Sequence, residues 1–264
     1  MSPIQLARLR ASTAALADQF ADTPATARAV RQLLDDYADR THRASPRVVS
    51  NSISNAFKTP APVVRAIVVA LRGPAQDNPA AALALADQLW GRGSQEERRI
   101  AAQVLGQVAV QQPAQALALI EAWVPRIEGR ETADALAEFG LGPLMRADPA
   151  RYLAEARRWV VHPLKWVRRF GLAALMPLVK DKHWDNVPGA LAVLRPVMTE
   201  TDGDVRRAAA AVLEGLTPKS PAEIGRFLRE QAARSNTSAG WIVRSAMTAL
   251  DPAEQAAIVR LLRS

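Results

Sequence analysis

Proline divides this chain into helices. Seven times a polar residue precedes Pro-Ala and an apolar-periodic run: Thr23-Pro24, Thr59-Pro60, Asn78-Pro79, Gln112-Pro113, Asp148-Pro149, Ser220-Pro221 and Asp251-Pro252. Proline's missing N–H costs nothing in the first helical turn, and a Thr, Asn, Asp or Ser before it can cap the free amides. Each pair is therefore read as a helix start, with Val187-Pro188 a poorer eighth.

A second series lies between these starts. Arg65, Arg98, Arg130, Arg168, Arg206 and Arg244 each stand near the beginning of a helical run, separated by 33, 32, 38, 38 and 38 residues. Their surroundings align as VVRAIVVAL, EERRIAAQVLG, GRETADALAEF, WVRRFGLAAL, DVRRAAAAVL and IVRSAMTAL. From Pro79 onward the proline and arginine series alternate strictly. Alternating helices at such a period describe an array of helical hairpins, and no run has the period-two pattern of a strand. The expected fold is all-α, a HEAT-like helical-repeat solenoid. One domain is expected over residues 1–264, a helical cap over 1–45 followed by repeats over 46–264, since no Gly/Ser-rich linker interrupts it.

Composition agrees. Much of the 49% apolar content is alanine and only 5% of residues are aromatic, which suits close-packed helices better than sheets. The absence of cysteine excludes disulfides and thiolate chemistry. His42, His162 and His183 show no ligand spacing, so no metal is expected. No phosphate-binding glycine loop or Ser/His/Asp set is present, so no cofactor is expected. The opening MSPIQLARLR lacks the apolar run of a signal peptide and no stretch of about 18 apolar residues follows. A cytoplasmic protein is expected.

The net charge of +8 is unevenly spread. Residues 1–150 carry 16 Lys/Arg against 15 Asp/Glu, and residues 151–264 carry 18 against 11. A basic half joined to a neutral half suggests an anionic partner that meets one end more than the other. Stacked repeats would bring the six arginines onto one face, with doubled positions at Arg98-Arg99, Arg168-Arg169 and Arg206-Arg207 and further charge at Lys165, Lys180 and Lys182. Guanidinium groups pair bidentately with phosphate oxygens, so such a row could track a nucleic-acid backbone. The competing reading is structural, each arginine bonding an acidic group of the next repeat.

Asp134 lies one turn beyond Arg130. A carboxylate there would repel phosphate, a cost tolerated where it stabilises a developing positive charge. Otherwise it is a helix aspartate paired with Arg130 at i,i+4. Of six tryptophans, Trp90, Trp123 and Trp159 fall near the ends of first helices and are expected in the core. Trp166 and Trp241 fall at second-helix starts, where an indole can pack on sugar or base or lie under a guanidinium. Trp184 is placed in a loop with no role assigned.

Four segments resemble the AlkD-like DNA alkylation-repair family, whose fold is a HEAT-like solenoid wrapped on DNA. They are SNSISNAFKTPAPVVRAI (50–67), ADQLWGRGSQEERRIAAQVL (86–105), RETADALAEFGLG (130–142) and HPLKWVRRFGLAAL (162–175). The resemblance implies duplex-DNA binding and, in active members, metal-independent excision of cationic alkylated purines. In those members an aspartate stabilises the positive sugar, and two tryptophans pack on the lesion's deoxyribose. Asp134 matches the aspartate and Arg168 a DNA-contacting arginine, but the tryptophan positions fall on Arg130 and Ala211. A guanidinium about 4 Å from a cationic transition state costs on the order of 4 kcal/mol at an effective dielectric near 20, or about three powers of ten in rate.

The expected function is therefore DNA binding of the alkylation-repair type, to duplex, damaged or branched DNA, by a monomer whose excision is weakened or lost. The expected contacts are Lys58, Arg130, Lys165, Trp166, Arg168, Arg169, Arg206, Arg207, Trp241 and Arg244, with Asp134 the catalytic candidate. Two alternatives stand beside it: an active glycosylase releasing N3- or N7-alkylpurines through Asp134, and a non-catalytic HEAT scaffold for an acidic protein.

Overall fold

A computed structural model of the chain describes residues 6–38, 56–234 and 237–263. The segment SNSISN of the first family-like stretch, His42, and the parts of the expected cap at 1–5 and 39–45 lie outside them. The chain forms two compact units, Met1–Pro143 and Leu144–Ser264. Among the described residues all regular structure is helical.

The first unit holds α1 (Leu6–Asp18), α2 (Thr23–Asp36), α3 (Ala61–Asp77), α4 (Pro79–Arg92), α5 (Gln95–Val108), α6 (Pro113–Trp123) and α7 (Arg130–Ala135). α7 runs directly into a π-helical segment, Leu136–Leu141. The helices form two layers. In one, α2 packs on α4 and α4 on α6; in the other, α1 packs on α3, α3 on α5, and α5 on α7 and the π segment. α8 (Gly142–Ala147) carries the chain onward. The second unit holds α9 (Pro149–Trp159), α10 (Lys165–Ala173), α11 (Met176–Lys180), α12 (Val187–Leu194), α13 (Gly203–Leu216), α14 (Pro221–Ala233), α15 (Thr237–Ala246) and α16 (Pro252–Leu261). It repeats the plan, with α9, α12, α14 and α16 in one layer and α10, α13 and α15 in the other. From α4 onward the proline-started helices and the helices of the arginine series thus occupy different layers of each unit, while α3, begun at Pro60 and bearing Arg65, belongs to both series.

The starts are made in more than one way. Asn78, Asp148 and Asp251 cap their helices as their type allows, accepting from the amides of Ala81, Arg151, and Ala253 with Glu254. At Thr23-Pro24 the cap is Asp22 instead, which accepts from the Ala25 amide and leaves Thr23 inside the first turn. Thr59 also makes no cap; its hydroxyl donates to the Leu34 carbonyl at 2.9 Å and ties the start of α3 to the end of α2. Asn186 rather than Val187 caps α12.

Aromatic residues fill the seams that alanine leaves. Trp90 of α4 and Trp123 of α6 stack with centroids 4.7 Å apart and planes 7° from parallel, and the Trp123 Nε1 donates to Asp87 at 2.9 Å. In the second unit Trp159 meets Phe170 edge-on at 4.8 Å. All three tryptophans are buried. Two glycines permit close approach. A Cβ on Gly106 of α5 would stand 2.1 Å from the Phe139 carbonyl oxygen of the π segment, and one on Gly171 of α10 would stand 2.9 Å from the Cβ of Trp159.

Candidate nucleic-acid interface

Helix α10 begins with two turns of basic and apolar residues, KWVRRFGLA, in which Val167 and Phe170 face the core. That choice of buried face sends Arg168 and Arg169 toward α13, the next helix in the same layer. Arg168 meets Glu200 with both ends of its guanidinium: Nε to Oε2 at 2.6 Å and Nη2 to Oε1 at 3.3 Å. Its Nη1 donates to the carbonyls of His162 and Pro163 at 3.0 and 2.8 Å. Burial alone would raise the Glu200 carboxyl; the Arg168 guanidinium and the Asp202 and Thr201 amides outweigh it and hold the group below its ordinary range.

The neighbouring cations are bound to the same short stretch. Lys165 Nζ lies 3.5 Å from Asp202 and 3.8 Å from Asp204. Arg169, largely buried, donates to the Asp204 carbonyl at 2.8 Å. Arg207 pairs with the Asp204 carboxylate at 2.7 Å while remaining more than half exposed. Asp202 also caps α13, accepting from the Asp204 and Val205 amides. Burial pushes its carboxyl up, but these amides and Lys165 hold it below its ordinary range. A single turn, ETDGD at 200–204, therefore engages Lys165, Arg168, Arg169 and Arg207.

Arg206 and Arg244 are arranged differently. The Arg206 guanidinium lies 5.1 Å over the ring of Trp241 from α15, and its Nε is buried with no hydrogen-bond partner. Trp241 keeps 37% of its surface exposed, high for an indole. Arg244, one turn along α15, is exposed and has no acidic partner among the described residues. Trp166 is half-buried beneath Lys165, whose Nζ stands 4.4 Å from its ring centre.

In the first unit the arginine positions are just as varied. Arg65 is exposed on α3. Arg98 is mostly buried between Glu128, at 3.4 Å, and the Trp90 ring, 5.5 Å below it. Arg130 is half exposed and pairs with Glu131 at 3.1 Å. Asp134 is half-buried in the last turn of α7, immediately before the π segment. A π turn shifts the register of side chains that follow it and often marks a functional site. Here it also brings the Phe139 ring within 5.2 Å of the Arg99 guanidinium. Lys58 is exposed, with φ of 55° in the left-handed region. Its neighbours hold it there: the Phe57 and Thr59 amides both donate to Glu96, at 3.1 and 3.4 Å.

A sequence model of the DNA alkylation repair enzyme family matches residues 30–250. The chain belongs to that family. The match supports a DNA-repair role with DNA as the partner, and it covers both compact units. Neither a curated protein nor a solved structure matches the chain.

For this DNA alkylation repair family member, reasoning from sequence missed the acidic turn. Glu200, Asp202 and Asp204 tie four of the expected contacts, Lys165, Arg168, Arg169 and Arg207, yet only their position just before an arginine-bearing helix could have drawn notice. The signal was an offset: Glu200 follows Arg168 by 32 residues, about one repeat.

Proposed function

We propose that the chain binds the phosphate backbone of DNA through its second unit, with Arg206 and Arg244 as principal contacts and Trp241 as the surface on which sugar or base packs. The observation that carries this reading is Arg206, a guanidinium stacked on an exposed indole with a buried Nε lacking any acceptor. An unsatisfied buried donor costs about 1–3 kcal/mol, and a turn of the side chain that brings the guanidinium onto a phosphate oxygen would remove that cost. Arg168 and Arg169 then act chiefly as fasteners between α10 and α13. Lys165 and Arg207, more open to water, can exchange an Asp204 oxygen for a phosphate oxygen. The partner is duplex, damaged or branched DNA, met by a monomer.

Excision of alkylated purines is weakened or lost in this reading. Arg130 occupies a position where the family resemblance calls for an indole, and it places a cation four residues from Asp134.

The test is fluorescence anisotropy of a labelled duplex against salt. Each phosphate contact contributes about −0.9 to the slope of log K on log[salt], so the wild-type slope should be −2 or steeper. Changing Arg206 and Arg244 together to Ala should weaken binding and make the slope shallower by about 2. No binding at about 50 mM salt, where phosphate contacts are strong, sinks the proposal. A slope near −1 would favour a scaffold for an acidic protein. Release of 7-methylguanine from methylated DNA, wild type against Asp134→Asn, decides excision: release by wild type that the variant lacks would restore an active glycosylase.

A further inference from the structure

In the first unit, away from the layer that bears the arginine series, α2 lies against α4. Arg28 and Arg31 stand one turn apart on α2, and Arg92 stands in the last turn of α4. With Asp35 and Phe57 they line a recess of about 260 Å3. Arg31 is the fixed member. Its Nη1 donates to both oxygens of Glu97, at 3.2 and 3.1 Å, and its guanidinium lies 5.4 Å over the Phe57 ring. Glu97 is fully buried and closes the capping box of α5 with Ser94, so this anchor is built into a helix start.

Arg28 and Arg92 are the available members. Neither bonds an acceptor among the described residues. Like charges gathered around a concavity repel unless an anion joins them. Arg31 is already paired with Glu97, which leaves Arg28 and Arg92 as the cations that give the recess its positive character. A phosphodiester, with one negative charge and two free oxygens, suits two such guanidinium donors. The volume is below the roughly 300–1,000 Å3 of pockets for drug-sized ligands, which suits a phosphate with part of its sugar.

We propose that this recess is a phosphodiester site that takes a backbone phosphate of DNA, with Arg28 and Arg92 as donors and Arg31 as their rigid backstop. It rests on the DNA-binding reading above but uses none of the same residues.

The experiment is duplex binding by the full chain against salt, comparing wild type with the double change Arg28→Ala and Arg92→Ala. Neither side chain holds another in place, so the melting temperature of the variant should match wild type. Binding should weaken roughly tenfold regardless of sequence, and the salt slope should become shallower by about 1. If wild type binds duplex and the variant matches it in affinity and slope, the inference fails and the DNA reading stands. If wild type binds no duplex, the DNA reading itself fails and takes this site with it. Inorganic phosphate provides the second arm. Should it raise the melting temperature of wild type but not of the variant, at matched ionic strength and with duplex binding equal in both, the recess belongs to a free phosphate and the DNA assignment is overturned.

Discussion

Arg168 and Glu200 are clasped across α10 and the start of α13, two nitrogens on two oxygens, with the carboxylate almost wholly buried. The arginine that most resembles a family DNA contact is thus a tie between neighbouring repeats. Changing Glu200 to Gln should leave the Arg168 charge without its counterion at a site only partly open to water. The expected loss is about 2–3 kcal/mol, below the roughly 3–5 kcal/mol typical of a fully buried pair, and chemical denaturation would measure it. An unchanged denaturation midpoint would show that the pair holds nothing together.

The same pair sets a pH dependence. The folded-state carboxyls of Glu200 and Asp202 both lie below their ordinary values. Such groups stabilise the fold fully above the unfolded-chain pKa, about 4.3 for Glu and 3.9 for Asp, and that contribution is lost as pH falls through the folded value. Wild-type stability should therefore decline below about pH 4, while the Glu200→Gln variant should decline less steeply over the same window. Parallel curves would contradict the coupling.

The stacked indoles offer a core test. Removing the Trp123 side chain by substitution with Ala deletes the stack on Trp90 and the bond to Asp87. A loss of about 3–5 kcal/mol is expected, which for a chain of this size lowers the melting temperature by roughly 6–20 °C. Trp123→Phe keeps a ring but not the Nε1 donor and should fall between.

Two glycines should respond in opposite directions. Gly106→Ala drives a methyl against the Phe139 carbonyl, and the overpacking should cost about 1–3 kcal/mol by pressing α5 off the π segment. Gly91 of α4 has open space around it. Gly91→Ala should stabilise by up to about 1 kcal/mol through helix propensity alone. Melting of the two variants under one condition separates the effects, and equal shifts would show that the close approach at Gly106 is not tight.

Placing an indole beside Asp134 tests the proposed weakening of excision. If the cation at 130 is the obstacle, Arg130→Trp should release more 7-methylguanine from methylated DNA than wild type. The ceiling is about three powers of ten, the rate equivalent of the repulsion removed. Equal release from both would place the cause elsewhere.

The residues themselves determined the helices, their alternation and the family, because those depend on neighbours in sequence. Pro79 behind Asn78 and Pro149 behind Asp148 fix helix starts within four residues, and a period of 32–38 residues needs no three-dimensional knowledge to be seen. Arg168 was equally visible as a position in the arginine series. Its partner was not, since Glu200 lies 32 residues on and reaches it only when α13 stacks on α10. The recess of Arg28, Arg31 and Arg92 was likewise invisible, as it joins residues more than 60 apart. Local hydrogen bonding and apolar periodicity act over a few residues and are written in the sequence; whether a cation is spent on a carboxylate or left for a phosphate depends on distances across the stack, which packing alone sets.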